Sequence, residues 1–219
     1  MSLNIKTVKV YLISPCIDKY KDRLFTVFSR LLTYGFHDIV FFKSVSGTNG
    51  TNSLTNTVID IMKLEMDNDK PFMILEDDCE IFTKHEEIEI PDNCDALYLG
   101  ASYWVYPYSV ETVYSAVRPH IFHNSLQPHQ SYNDMLTRIG GMTGGHAIMF
   151  ISREFMKTFL DHITTIIKSI DNMPHDLLFG CLQFHFNVYA LKQPLFYQDS
   201  ALGGQEDITK ITFNGQCYC

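Results

Sequence analysis

The chain has 219 residues, 46% hydrophobic and 13% aromatic, which is enough apolar material for one sizeable core and too much for a disordered chain. A formal net charge of −8 with no basic stripe argues against a nucleic-acid binder, and an anionic ligand would need a metal to neutralise it. No apolar run approaches membrane-spanning length.

Val8 to Ser14 (VKVYLIS) reads as the first strand, stopped by Pro15. Leu24, Val27, Phe28, Leu31 and Leu32 follow the spacing of a core-facing helical stripe, and Gly35 sits where a left-handed cap would end that helix. Asp38 to Lys43 (DIVFFK) is a second strand. A polar loop from Ser44 to Ser53 comes next, then a helix from about Leu54 to Met66. Phe72 to Leu75 has the apolar run of a strand buried on both faces. The first third is therefore β-α-β-α-β, which predicts a parallel sheet under helices.

Asp95 to Leu99 (DALYL) is a further short strand ending at Gly100. Residues 102 to 133 hold no sustained period but carry Trp104, Tyr106, Tyr108, His120, His123 and His129; a segment of that length in a compact domain is usually a functional loop. GGMTGGHAIMFIS then supplies a Gly-rich turn and a strand, Ala147 to Ser152. Phe155, Phe159, Leu160, Ile163 and Ile167 mark a helix, Asp176 opens another, and Val188 to Ala190 and Leu195 to Tyr197 are two last extended pieces. The six cysteines lack paired CxxC spacing, and with no signal peptide the expectation is free thiols in a reducing cytosol. Asn49-Gly50-Thr51 fits a glycosylation sequon but reads as turn chemistry in that setting.

The strand at Phe72 to Leu75 runs directly into Glu76, Asp77 and Asp78. Acids stacked on the end of a buried strand repel one another and lose hydration unless a cation or hydrogen-bond donors take them up. Ligands of open α/β sheets bind beyond the carboxyl ends of strands, and alternation turns Glu76 and Asp78 to one side. Hard carboxylate oxygens suit Mg²⁺ or Mn²⁺. The plain alternative is a solvated acidic turn.

KVYLISPCIDKYKDRLFTVFSRLLTYGF, FFKSVSG, SLTNT and MILEDDCEIF follow one another in an order that resembles glycosyltransferases of the GT-A fold, particularly the lipopolysaccharide-type and collagen-galactosyltransferase-like families. The shared marks are Asp22-Arg23 after the first strand, the ILEDD metal motif, Leu99-Gly100, a Gly-rich turn before a strand ending in Ser-Arg (Gly144 to Arg153), and Pro194, Gln198 and Ser200. The likeness covers about residues 7 to 202, and small glycosyltransferase domains of large algal DNA viruses are similar in size. Two departures stand out. Thr57 to Lys63 has no histidine where those families carry Ser-His, and Gln198 and Asp199 are the nearest candidates for a third metal position.

The resemblance implies an α/β, GT-A-like (Rossmann-type) mixed, mostly parallel sheet flanked by helices. It implies a single domain over residues 1–219, whole or the N-terminal part of a longer protein, in the cytoplasm (of the host cell if viral). It further implies sugar transfer from a nucleotide-sugar donor, a UDP-sugar for preference, to a carbohydrate or other hydroxyl acceptor, aided by Mn²⁺ or Mg²⁺. Asp78 would bind the metal, Glu76 and Asp77 would position ribose or donor sugar, and Ser14 and Pro15 would border the nucleobase with Arg23 nearby. Gly144 and Gly145 would permit close approach of a donor or form a plain turn, and His146 would touch sugar or phosphate or be a satisfied core histidine. Asp176 would be the base that an inverting transferase needs, or only a helix-start acid. The aromatics at Trp104, Tyr106 and Tyr108 would stack on a sugar or pack on the core; the histidines at 120, 123 and 129 match no zinc spacing. The rivals are a sugar-nucleotidyltransferase or other metal-dependent phosphotransfer enzyme, for which SPCIDKYK is a poor phosphate loop, and an inactive carbohydrate-binding or scaffold domain.

Overall fold

A computed structural model describes residues 1–14, 19–45, 50–104, 130–166 and 174–204. Strands β1 (Ser2–Asn4) and β2 (Lys9–Ser14) precede helix α1 (Lys21–Tyr34); β3 (Ile39–Lys43), α2 (Gly50–Glu65), β4 (Phe72–Glu76), β5 (Cys79–Ile81) and β6 (Glu87–Glu89) follow. The second half carries β7 (Ala96–Trp104), β8 (Gln130–Ser131), β9 (Leu136–Arg138), β10 (Thr143–Phe150), α3 (Arg153–Ile166), α4 (His175–Leu182), β11 (Val188–Leu191) and β12 (Phe196–Gln198). The fold is mixed α/β. Eight strands form one sheet in the order β3-β2-β4-β10-β7-β11-β9-β8.

Strands β2, β3 and β4 are parallel, as the β-α-β-α-β pattern predicts, and β11 is parallel to β7. The other four pairings are antiparallel, so the sheet is mixed and not mostly parallel as expected. Strand β10 runs antiparallel to both β4 and β7, so it enters where its two neighbours end. Side-chain alternation then builds a core on each face of the sheet. On one face Tyr11, Ile13, Ile74, Tyr98 and Ile148 meet Val58 and Met62 of α2, Phe159 of α3 and Phe179 of α4. On the other, Val10, Leu12, Leu75, Leu97 and Met149 meet Leu24, Val27 and Leu31 of α1, with Ile5, Ile88 and Phe196 beside them. No helix among the described residues is long and apolar enough to cross a membrane.

Several boundaries differ from the sequence-based expectation, each for a physical reason. Gly35 does end α1, at φ 112°, with its N–H on the Leu31 and Leu32 carbonyls. Leu32, expected on the core stripe, is 41% exposed. Helix α2 begins at Gly50 rather than Leu54, because the polar residues read as loop fill its outward first turn. Strand β7 does not stop at Gly100. It continues to Trp104, and Gly100 is the residue that lets it: a Cβ there would lie 2.5 Å from His146 Nε2 and 2.6 Å from the Phe196 carbonyl oxygen. The Gly-rich segment is likewise not all turn, since Gly144 and Gly145 belong to β10, with Gly144 at φ 73° and register shifts against β7. That strand ends at Phe150, where the Ile151 and Ser152 N–H groups both donate to the Asp95 carbonyl. Two small antiparallel ribbons, β1 with β6 and β5 with β12, complete the molecule.

Candidate active site

Because β2 and β4 end at the same edge at which β10 begins, Ser14, Glu76, Gly144 and Gly145 are brought together there. Beyond Glu76 the chain turns at Asp77 and Asp78 into β5, and β5 pairs with β12 so that Gln198 stands opposite Cys79. The three acids take different partners. Gln198 Nε2 donates to Glu76 Oε2 at 2.9 Å and reaches Asp78 Oδ1 at 3.5 Å. The Arg23 guanidinium of α1 donates to Asp77 Oδ1 and, at 3.0 Å, to the Leu202 carbonyl. Arg23 is thus no ordinary exposed helix residue. Asp199, the other residue considered for a third metal position, uses its carboxylate to accept the Ala201 N–H at 2.9 Å, and its own N–H donates to the Asp78 carbonyl.

Burial dominates the electrostatics. It pushes the Glu76 carboxyl well above the ordinary range, with the charges of Asp78, Asp176 and Asp77 adding to the rise and the Gln198 amide opposing it. Asp77 is also raised by burial, against the pull of Arg23. Neither Ser14 Oγ nor Asp77 Oδ2 completes a hydrogen bond, although both atoms are buried. Asp78 is raised by burial too, and Arg23 counters this more than Asp77 adds to it. Crowding and lost hydration make a positive charge near these acids favourable, and Arg23 already supplies one at Asp77.

A cavity of about 210 Å³ opens over these groups, lined by Ser14, Arg23, Ser44, Ser53 and the three acids, with Gly50 at the start of α2. Ser44 and Ser53 escaped the sequence reading. The signal was present, in that Ser44 follows the carboxyl end of β3 as directly as Ser14 ends β2.

Asp176 is the second residue of α4 and lies close enough to Glu76 for its charge to act there, although it is not among the residues lining the cavity. Its Oδ2 accepts the Gly144 N–H at 3.1 Å, and its charge is among those that raise Glu76. Gly144 therefore contributes a backbone donor to a candidate catalytic acid. Gly145 has no room for a side chain, since a Cβ would lie 2.5 Å from Ile148 Cδ1 and 2.6 Å from Tyr98 Cε1. His146 is 2% exposed, and its Nε2 lies 3.2 Å from the Phe196 carbonyl oxygen. Burial lowers its pKa to about 4, which makes it a neutral packing element at pH 7. Pro15, Tyr106, Tyr108, His120, His123 and His129 lie outside the described residues, as does most of the long segment expected to be a loop.

Among the described residues no group of three or more His, Cys, Asp or Glu side chains is placed to hold a metal ion. A cation at Asp78 would instead rest on one or two carboxylates and take its other ligands from phosphate oxygens and water, the usual mode for Mg²⁺. The donor set fits that role: hard oxygens, clustered, with Glu76 and Asp78 sharing the neutral Gln198 amide while Asp77 pairs with Arg23. No protein-family model matches the chain, and no curated protein is similar to it.

Proposed function

We propose that the protein is a metal-dependent glycosyltransferase of GT-A-like architecture that moves a sugar from a nucleotide-sugar donor, UDP-linked for preference, to a hydroxyl acceptor. The observation that carries this reading is the meeting of two functions at one edge. Glu76, Asp77 and Asp78 form a desolvated acidic cluster beside a cavity of about 210 Å³, and the Asp176 carboxylate is near enough for its charge to raise Glu76. A mixed sheet flanked by helices, with acids at the carboxyl end of one of its parallel strands, is compatible with the setting that the resemblance implies.

A divalent cation at Asp78 would neutralise the diphosphate as it leaves. Asp77 and Ser14, both in the lining of the cavity, would accept and donate to ribose or base hydroxyl and amide groups. In transfer, the acceptor hydroxyl oxygen bonds to the sugar's anomeric carbon and its proton passes to Asp176. Oδ2 is the oxygen available for that proton, since Oδ1 is buried. The bond from the anomeric carbon to the diphosphate breaks, and its electron pair leaves on the nucleotide. A thermal-shift panel of UDP-, GDP- and CMP-sugars, each with Mn²⁺ and with chelator, tests the assignment. Stabilisation by a UDP-sugar only when Mn²⁺ is present is the expected outcome. No response to any nucleotide sugar would overturn it and favour a scaffold.

A further inference from the structure

Asp176 has a buried neighbour that no part of the proposed chemistry yet uses. His175 is 4% exposed, and its Nε2 lies 3.1 Å from Asp176 Oδ1. The approach is too bent to complete a hydrogen bond, so Oδ1 is buried without one. The histidine is fixed from two other sides. Its backbone N–H donates at 3.2 Å to Oγ1 of Thr55, itself 1% exposed on α2, and its ring stands edge-on to Phe179 at 5.4 Å between centroids. It also lines, with Glu76 and His146, a void of about 10 Å³.

A purely structural filler at this place would be cheaper as Phe or Leu, because a buried imidazole forfeits hydration. What the imidazole gains is contact with Asp176. Burial lowers the His175 pKa while Asp176 opposes the shift, so the ring is neutral near pH 7 and carries one N–H. The tautomer with hydrogen on Nε2 presents that donor to the carboxylate.

Resting on the reading of Asp176 as the acceptor-activating base, we infer that His175 is a positioning residue: its Nε2–H and the Gly144 N–H hold the two Asp176 oxygens from opposite sides. The bent contact straightens when donor and acceptor fill the cleft, as catalytic hydrogen bonds commonly do on substrate binding. The arrangement fixes the carboxylate plane and leaves Oδ2 to take the proton. The titratable groups facing Asp176 are Glu76 from β4, Tyr98 from β7 and His175 on its own helix, with His146 of β10 across the small void.

The test compares His175→Phe, His175→Asn and His175→Gln with wild type, using Mn²⁺-dependent UDP release from whichever of UDP-glucose, UDP-galactose, UDP-xylose or UDP-N-acetylglucosamine the wild type uses fastest. Gln places an amide N–H where Nε2 was, whereas Asn is too short and Phe has none. His175→Phe is expected to lower kcat about tenfold or more with KM for the donor within about twofold. His175→Gln should recover most of the lost kcat and His175→Asn should not. If His175→Phe fails to fold, the Gln–Asn contrast alone decides. A His175→Phe enzyme with wild-type kcat, or Gln and Asn variants that behave alike, would overturn this inference and leave the transferase reading intact. Wild type inert toward every donor would overturn both.

Discussion

Gln198 Nε2 donates to Glu76 Oε2 at 2.9 Å and approaches Asp78 Oδ1 at 3.5 Å, so one neutral amide serves two carboxylates, one half-buried and one buried. The bond favours their ionised forms and pulls both carboxyls down against burial. Its contribution should therefore be largest at high pH and shrink as the carboxyls protonate. Gln198→Ala is expected to cost about 1.5 kcal/mol or more at pH 8, the scale of a hydrogen bond to a charged group, and clearly less at pH 5. Urea unfolding at the two pH values measures it. Equal losses would show that Gln198 acts through packing instead.

Glu76 should make the metal-free protein less stable as pH rises. Its carboxyl is raised well above 4.5, so the stability it contributes is fully present below pH 4.5 and is lost as pH climbs through the raised folded value. Glu76→Gln removes that loss while keeping the shape and an acceptor for Gln198. With chelator present, the variant should melt higher than wild type at pH 8, and the two curves should converge near pH 4. Melting curves that stay parallel across the range would contradict the charge-crowding account.

Arg23 and Asp77 form a largely buried pair, with side chains 14% and 3% exposed. Removing one partner strands the other charge. Arg23→Met should cost about 3–5 kcal/mol at neutral pH, and adding Asp77→Asn should return a substantial part of that. Chemical denaturation of the two single variants and the double completes the cycle. An additive double variant would mean that the pair is not coupled.

Legibility from the sequence was uneven, and the reason is range. The β-α-β-α-β order could be read because apolar runs and helical stripes are local, and the acid cluster stood out because carboxylates abutting Leu75 conflict with burial. What joins the acids to their partners is distant in sequence: Gln198 and Glu76 are 122 residues apart, and no local pattern announces that β5 and β12 pair. Three-residue strands such as Glu87–Glu89 are too short for a period to register. Gly144 and Gly145 suggested a turn, yet they lie in a strand where Ile148 and Tyr98 leave no room for a Cβ at Gly145. Asp176 was legible only through a family likeness, and its link to Gly144 only through the fold.

Asp176→Asn separates chemistry from folding. Asn keeps an oxygen for the Gly144 N–H, so stability should change by about 1 kcal/mol or less. Turnover should fall roughly a hundredfold with donor affinity nearly intact, because only the proton acceptor is lost. Steady-state kinetics beside a melting curve reads both. Donor affinity that falls in step with turnover would make Asp176 a ligand-positioning residue and not the base.

The central claim is that Asp78 holds a cation through which a nucleoside diphosphate binds, since a chain of net charge −8 with three crowded acids should repel a bare diphosphate. Calorimetric titration of UDP into wild type and Asp78→Ala, each with Mn²⁺ and with chelator, measures this directly. Binding by wild type with Mn²⁺ and affinity lower by about tenfold or more in the other three conditions is the predicted result. Equal affinity in all four would contradict it.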